Sequence, residues 1–138
     1  MIICLEKATN LSEVPVWIFL NLGIAYEYQG NYQIAIQIYK NISTNYQNEI
    51  ALFRLGRLLG RQQQLLIAES FLEKAIKINP NYAEAYHNLG WVLLNIKNSN
   101  GEVKNLEAMR LAYSKAFELY HKQKKDVFAN KIRQIFPV

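Results

Sequence analysis

The 138-residue chain has one cysteine, two histidines, three prolines and six glycines, and each scarcity closes off a class of protein. Cys4 has no partner for an internal disulfide. With only His87 and His121 beside it, far apart in the chain, no spacing suits a structural zinc site. A lone thiol implies a reducing compartment, so the cytoplasm is the expected location. Few prolines and glycines leave long stretches unbroken. Apolar residues recur there at intervals of three and four, so the expected class is all-α. Long hydrophobic runs are also missing. The most apolar stretch, Val14 to Tyr26, is shorter than the ~20 residues of a bilayer span and contains Asn21, so no membrane insertion is expected. Met1-Ile-Ile-Cys-Leu lacks the basic flank of a signal peptide, and Glu6 follows at once.

What is present points to a folded chain of simple organisation. Hydrophobic residues make up 51% and charged residues 20%, enough apolar surface for a sizeable core, and the length suits one domain or a short repeat array. Three segments align. Phe19-x-x-Leu22-Gly23-x-x-Tyr26 is followed by Gly30-Asn31-Tyr32, Ala35, Tyr39 and Ile42. Leu52-x-x-Leu55-Gly56-x-x-Leu59 is followed by Leu65, Ala68, Leu72, Ala75 and Pro80. Tyr86-x-x-Leu89-Gly90-x-x-Leu93 is followed by Met109, Tyr113 and Ala116. The Leu-Gly pairs stand 33 and 34 residues apart.

This pattern resembles the tetratricopeptide repeat, a helix-turn-helix unit of about 34 residues. The segment from Glu49 to Tyr82 fits without a gap and ends in Ile78-Asn79-Pro80-Asn81-Tyr82. The resemblance implies a right-handed α-solenoid in which hairpins complete their cores only by stacking. The repeat glycines then mark where the partner helix of the same hairpin crosses too closely for a side chain, helped by Ala35, Ala68 and Ala75. Tyr26, Tyr39, Phe71 and Tyr113 are expected to fill the space between successive hairpins.

Glu6-Lys7-Ala8 precedes Gly23 by the interval that separates Glu73-Lys74-Ala75 from Gly90, so the chain reads as opening mid-repeat. The expected organisation of this single domain runs from the second helix of a truncated repeat (1–13) through repeat 1 (14–48) and repeat 2 (49–82) to repeat 3 (83–120). The third carries a polar loop insertion at 97–104, and a basic linker with a capping helix occupies 121–138. In that last helix Asp126 is the expected N-cap, with Val127, Ile132 and Ile135 on the inner face.

No catalytic set emerges. Cys4 and His87 fall several helices apart, and Glu69, Glu73, Glu107 and Glu118 read as solvated surface beside lysines. The repeat glycines are explained by packing rather than by a phosphate loop. A non-enzymatic chain without cofactor or metal is expected. The resemblance implies that the first helix of each repeat lines a concave groove. Its candidate contacts are Trp17, Asn21, Ile24 and Tyr28, with Leu20 between; Phe53, Arg54, Arg57 and Arg61; and His87, Asn88, Trp91 and Asn95, with Glu84 beside them. Aromatics and arginines dominate binding energy at interfaces, and three arginines on one face suit an acidic or aromatic peptide or protein segment. Some relatives clamp a peptide's terminal carboxylate with basic residues and asparagines. Here Asn21, Arg54, Arg57 and Asn88 fit, but Leu20, Phe53 and Glu84 stand where that clamp needs basic groups.

The leading expectation is therefore a scaffold or adaptor that binds a partner in the groove. A second reading is a structural or assembly subunit, dimerising through Ile2, Ile3 and Leu5 at the uncovered N-terminal helix. A third is an RNA-binding adaptor, because residues 97 to 138 hold nine basic and four acidic side chains while the preceding residues balance at seven each. The run His121-Lys-Gln-Lys-Lys125 lacks interleaved aromatics, which weighs against nucleic acid.

Overall fold

The computed structural model describes residues 14–136, so the expected half-repeat helix, Cys4 and the self-association residues Ile2, Ile3 and Leu5 lie outside the described residues. Seven helices occupy the described chain: α1 (Val16–Tyr28), α2 (Tyr32–Asn45), α3 (Glu49–Arg61), α4 (Leu65–Ile78), α5 (Ala83–Asn95), α6 (Leu106–Lys122) and α7 (Asp126–Ile135). They form an all-α solenoid. Hairpins α1/α2, α3/α4 and α5/α6 stack in chain order, and α7 closes on α6. Helix α3 touches α5 directly, and Glu27 of α1 pairs with Arg54 and Arg57 of α3, so the first helices line up as one layer, the inner layer.

The hairpins close where the repeat glycines stand. A Cβ on Gly23 would lie 2.6 Å from the Tyr39 ring, one on Gly56 would lie 2.7 Å from Leu72, and one on Gly90 would lie 2.9 Å from Tyr113. Glycine inside a helix costs about 0.8–1.0 kcal/mol relative to alanine, and here the seating of a large side chain directly on the backbone offsets it. Ala35, Ala68 and Ala75 are fully buried. Tyr39 and Tyr113 thus fill the space within their own hairpins, not between hairpins as the sequence suggested. Among the described residues the buried core contains no polar or charged side chain, and Tyr39, Tyr113, Tyr120, Leu55 and Leu72 are its largest fully enclosed members.

Three turns share one hydrogen-bond pattern. Asn31 N–H donates to Tyr26 C=O, Gln64 to Leu59, and Lys125 to Tyr120, while the preceding residues Gly30, Gln63 and Lys124 donate to Glu27, Gly60 and His121. This pairing is the Schellman ending of a helix, which needs a left-handed residue. Gly30 takes it at φ 78°, but the equivalent positions are Gln63 at 66° and Lys124 at 59°. The α6–α7 junction therefore closes like the α1/α2 and α3/α4 hairpins. The α5/α6 hairpin closes otherwise. Its insertion is an ordered loop in which Lys97 and Val103 form an antiparallel bridge and Asn98 Oδ1 accepts from the Asn100 and Glu102 N–H groups.

Caps follow local chemistry. Asn48 and Asn105 accept from the third N–H of α3 and α6, at 2.9 and 3.1 Å. Asp126 does not cap α7. It is that helix's first residue, and Lys125 holds the cap position without a side-chain bond. The inner face of α7 also differs from expectation. Ala129 and Ile132 are buried, whereas Val127 and Ile135 are exposed, because the contacts to α6 are supplied by Phe128 stacked on Tyr120 and by Phe136 stacked on Tyr113.

Two substitutions separate packing from backbone strain. Gly56→Ala should lower unfolding free energy by about 1–3 kcal/mol, because the new methyl meets Leu72 and the Ala68 carbonyl. Gln63→Gly should raise it by about 1 kcal/mol through relief of a left-handed non-glycine residue. Urea titration of both variants measures the pair. Equal midpoints for the two would contradict the reading of either position.

Candidate functional site

The inner layer is ordered by distance from each repeat glycine. Asn21, Arg54 and Asn88 stand two residues before it, Ile24, Arg57 and Trp91 one after, and Tyr28, Arg61 and Asn95 five after. Each trio forms a row across the three first helices. Tyr28 is 83% exposed and Trp17 59%, and Arg61 and Asn21 are also exposed. Trp91 is partly covered because its ring reaches over Gly60. Asn88 and Asn95 donate their amides to the Glu84 and Trp91 carbonyls of their own helix, at 2.8 and 2.7 Å. Their Oδ1 atoms are left as acceptors.

Leu20, Phe53 and His87 share the position three before the glycine, and that row turns inward. Leu20 and Phe53 are buried, and Phe53 packs 5.0 Å from the Tyr82 ring with the Arg57 guanidinium over its face. Phe53 is therefore a base for Arg57 and not a surface contact. His87 is half-buried against Tyr113 and Tyr120, with Nδ1 3.2 Å from the Tyr120 hydroxyl. The expectation that Phe53 faces the groove is corrected, while His87 keeps a partly exposed edge. Their register was readable, since the same repeat position holds Leu20 in the first hairpin.

At the junction of the first two hairpins lies a group that sequence reasoning missed. Glu27 accepts from Arg54 Nη1 at 3.1 Å, from Arg57 Nη2 and from the Tyr39 hydroxyl at 2.8 Å. Like charges three residues apart on one helix face repel, and for Arg54 and Arg57 that repulsion is relieved from within the chain. One carboxylate serves two guanidinium groups, so the cluster keeps an excess positive charge, and Arg61 adds a further exposed one. Burial, reinforced by Glu27, pushes the Tyr39 hydroxyl above its ordinary pKa and keeps it a donor. The equivalents of Glu27, four after the repeat glycine, are Gly60 and Leu94. An acid where other repeats place a small or apolar residue was the available signal.

Part of the C-terminal basic charge is also engaged internally. Lys125 Nζ pairs with Glu84 Oε1 at 2.8 Å, Lys122 with Glu118 at 3.1 Å, and Gln123 donates to the Asn81 carbonyl. The linker is fastened to the start of α5 through Lys125 and Gln123, while Lys122 and Lys124 remain exposed. Of the carboxylates read as solvated, Glu73, Glu107 and Glu118 are exposed and Glu69 is partly covered. Among the described residues no cluster of three metal-ligating side chains occurs, and no helix is long and apolar enough to cross a membrane.

Family models described as tetratricopeptide repeat match residues 18–48, 50–82 and 71–104. Among solved structures, the first TPR of Spaghetti (RPAP3) bound to HSP90 peptide SRMEEVD superposes with a TM-score of 0.68 at 22% identity, over 89% of this chain and 94% of that one. MamA, residues 41 to the end, from Desulfovibrio magneticus RS-1 superposes with a TM-score of 0.69 at 20% identity, over 96% of this chain and 80% of that one. Both likenesses are of fold. No curated protein matches the sequence.

The setting of His87 generates a pH dependence. Burial lowers its pKa below the ordinary value, Lys131 lowers it further, and Glu84 opposes them. Above the ordinary value near 6.5 the ring is neutral in both folded and unfolded chains and contributes no pH dependence. As pH falls below that value the unfolded chain takes up a proton that the fold resists, so stability declines. Thermal unfolding from pH 7.5 to 5.5 should show a larger loss for the wild type than for His87→Phe. Identical slopes would contradict this assignment.

Proposed function

Because the chain belongs to the tetratricopeptide repeat family, we propose that it is a non-enzymatic scaffold or adaptor whose inner helical layer binds a peptide segment of a partner protein. The observation that carries the reading is the charge arrangement between α1 and α3. Arg54 and Arg57 share one carboxylate, and Arg61 stands exposed beside them. Exposed Tyr28, next to Glu27 in α1, and Trp91, whose ring reaches over Gly60, adjoin these cations, and exposed Trp17 stands further along the same layer at the start of α1. A segment carrying Asp or Glu beside an aromatic or aliphatic side chain complements that row. The acidic tail of the peptide SRMEEVD held by the structural neighbour gives the same chemistry a precedent. A reducing, cytoplasmic setting suits the lone Cys4.

Arg54 and Arg57 sit in the inter-repeat junction, so replacing them would confound binding with folding. Tyr28 and Arg61 occupy one row and are exposed, and they separate the two. A labelled peptide of alternating Glu and Phe should bind the wild type. Arg61→Glu and Tyr28→Ser should each weaken it about tenfold, or ~1.4 kcal/mol, while thermal stability stays unchanged. Added salt should weaken binding modestly, as for a rim charge. Wild-type affinity in both variants would remove the inner layer as the binding surface.

A further inference from the structure

We infer that a cleft between α2 and α4, in the outer layer, is a second binding site that takes a short acidic peptide segment of a partner protein bearing one large apolar side chain. The cleft has a volume of about 830 Å³, within the ~300–1,000 Å³ typical of ligand sites. Leu52, Phe71 and Ile78 give it an apolar lining, and Lys40, Lys74 and Lys77 stand around it. No acidic side chain lines it, and no described carboxylate pairs with any of the three lysines. Lys77 lies in the last turn of α4, where the helix end favours a cation without any ligand. That explanation does not extend to Lys40, more than a turn before the end of α2, or to the gathering of three ammonium groups from two helices around one recess. Such a recess concentrates positive potential over an apolar floor.

The shape of the cleft selects the occupant. Leu52 is only 5% exposed at the bottom of the cleft while Ile78 at its rim is exposed, so a flat bilayer surface meets the rim and cannot reach the floor. Lys74 Nζ sits 5.2 Å from the Phe71 ring centre and covers a face that a nucleobase needs for stacking. An acidic segment has neither difficulty. One leucine or phenylalanine side chain enters the recess while flanking carboxylates meet the lysines. With its lysines on the second helices and only Leu52 from α3 reaching its floor, this site stands apart from the Arg61 row.

The test uses the acetylated heptapeptide Asp-Glu-Glu-Leu-Phe-Glu-Asp, titrated calorimetrically into the full chain. The double variant Lys74→Glu/Lys77→Glu changes two exposed side chains, and unaltered circular dichroism checks its fold. Measured in the Tyr28→Ser/Arg61→Glu background, which silences the inner layer, it should lose at least about tenfold in affinity, whereas Lys97→Glu, an exposed lysine away from the cleft, should retain the value of that background. The Asn/Gln version of the peptide should not bind. Absence of binding to the wild type at millimolar peptide would overturn the proposal. So would loss of all binding in the Tyr28→Ser/Arg61→Glu background, which would assign the peptide to the inner layer alone. Lysine-dependent binding of phosphatidylserine vesicles or single-stranded RNA, with the peptide inert, would overturn it as well.

Discussion

The Cβ that Gly23 lacks would stand 2.6 Å from the Tyr39 ring, and that missing atom determines how the inner layer is built. With the ring seated directly on α1, the Tyr39 hydroxyl reaches Glu27, one turn further along the same helix, at 2.8 Å. Glu27 then receives Arg54 and Arg57 from the next hairpin. A close helix crossing inside one repeat is thus transmitted as a fixed position for two guanidinium groups in the following repeat. The crossings at Gly56 and Gly90 use Leu72 and Tyr113, of which leucine has no polar end. The hydrogen-bonded relay to arginines therefore belongs to the first junction.

This relay changes what the arginines are for. Arg54 and Arg57 are partly shielded, share a carboxylate and, for Arg57, rest on Phe53, so they join repeats as well as present charge. Ion pairs at full exposure contribute little to stability. One whose carboxylate is nearly buried leaves an uncompensated group if broken. Net positive potential remains at the junction, and the exposed Arg61 and Tyr28 are free of structural duty. On the proposed reading, affinity and stability are thereby divided between neighbouring rows of the same helices.

The fold was legible because its signal is periodic: Leu-Gly pairs at intervals of 33 and 34 residues mark the crossings, and alanines mark the partner helices. Less legible were features set by contacts between repeats or by local turn geometry. Glu27 meets partners 27 and 30 residues away, and no local pattern announces that pairing. Phe53 was misplaced because neighbours on a helix wheel were assigned one face, although the position three before the glycine is buried in the first two hairpins and half-buried at His87. The inner face of α7 was misjudged for a related reason. Aliphatic Val127 and Ile135 look like core, but the aromatic pairs Tyr120–Phe128 and Tyr113–Phe136 decide how that helix rotates. The cleft between α2 and α4 gathers residues from two repeats and has no sequence signature at all.

The central claim is that Tyr39 and Arg57, which are not bonded to each other, are coupled through Glu27. A double-mutant cycle of Tyr39→Phe and Arg57→Leu, followed by urea unfolding of the four proteins, measures that coupling directly. The account predicts an interaction energy of at least about 0.5 kcal/mol, because each substitution leaves the same carboxylate short of a donor. Additive effects of the two substitutions would contradict it.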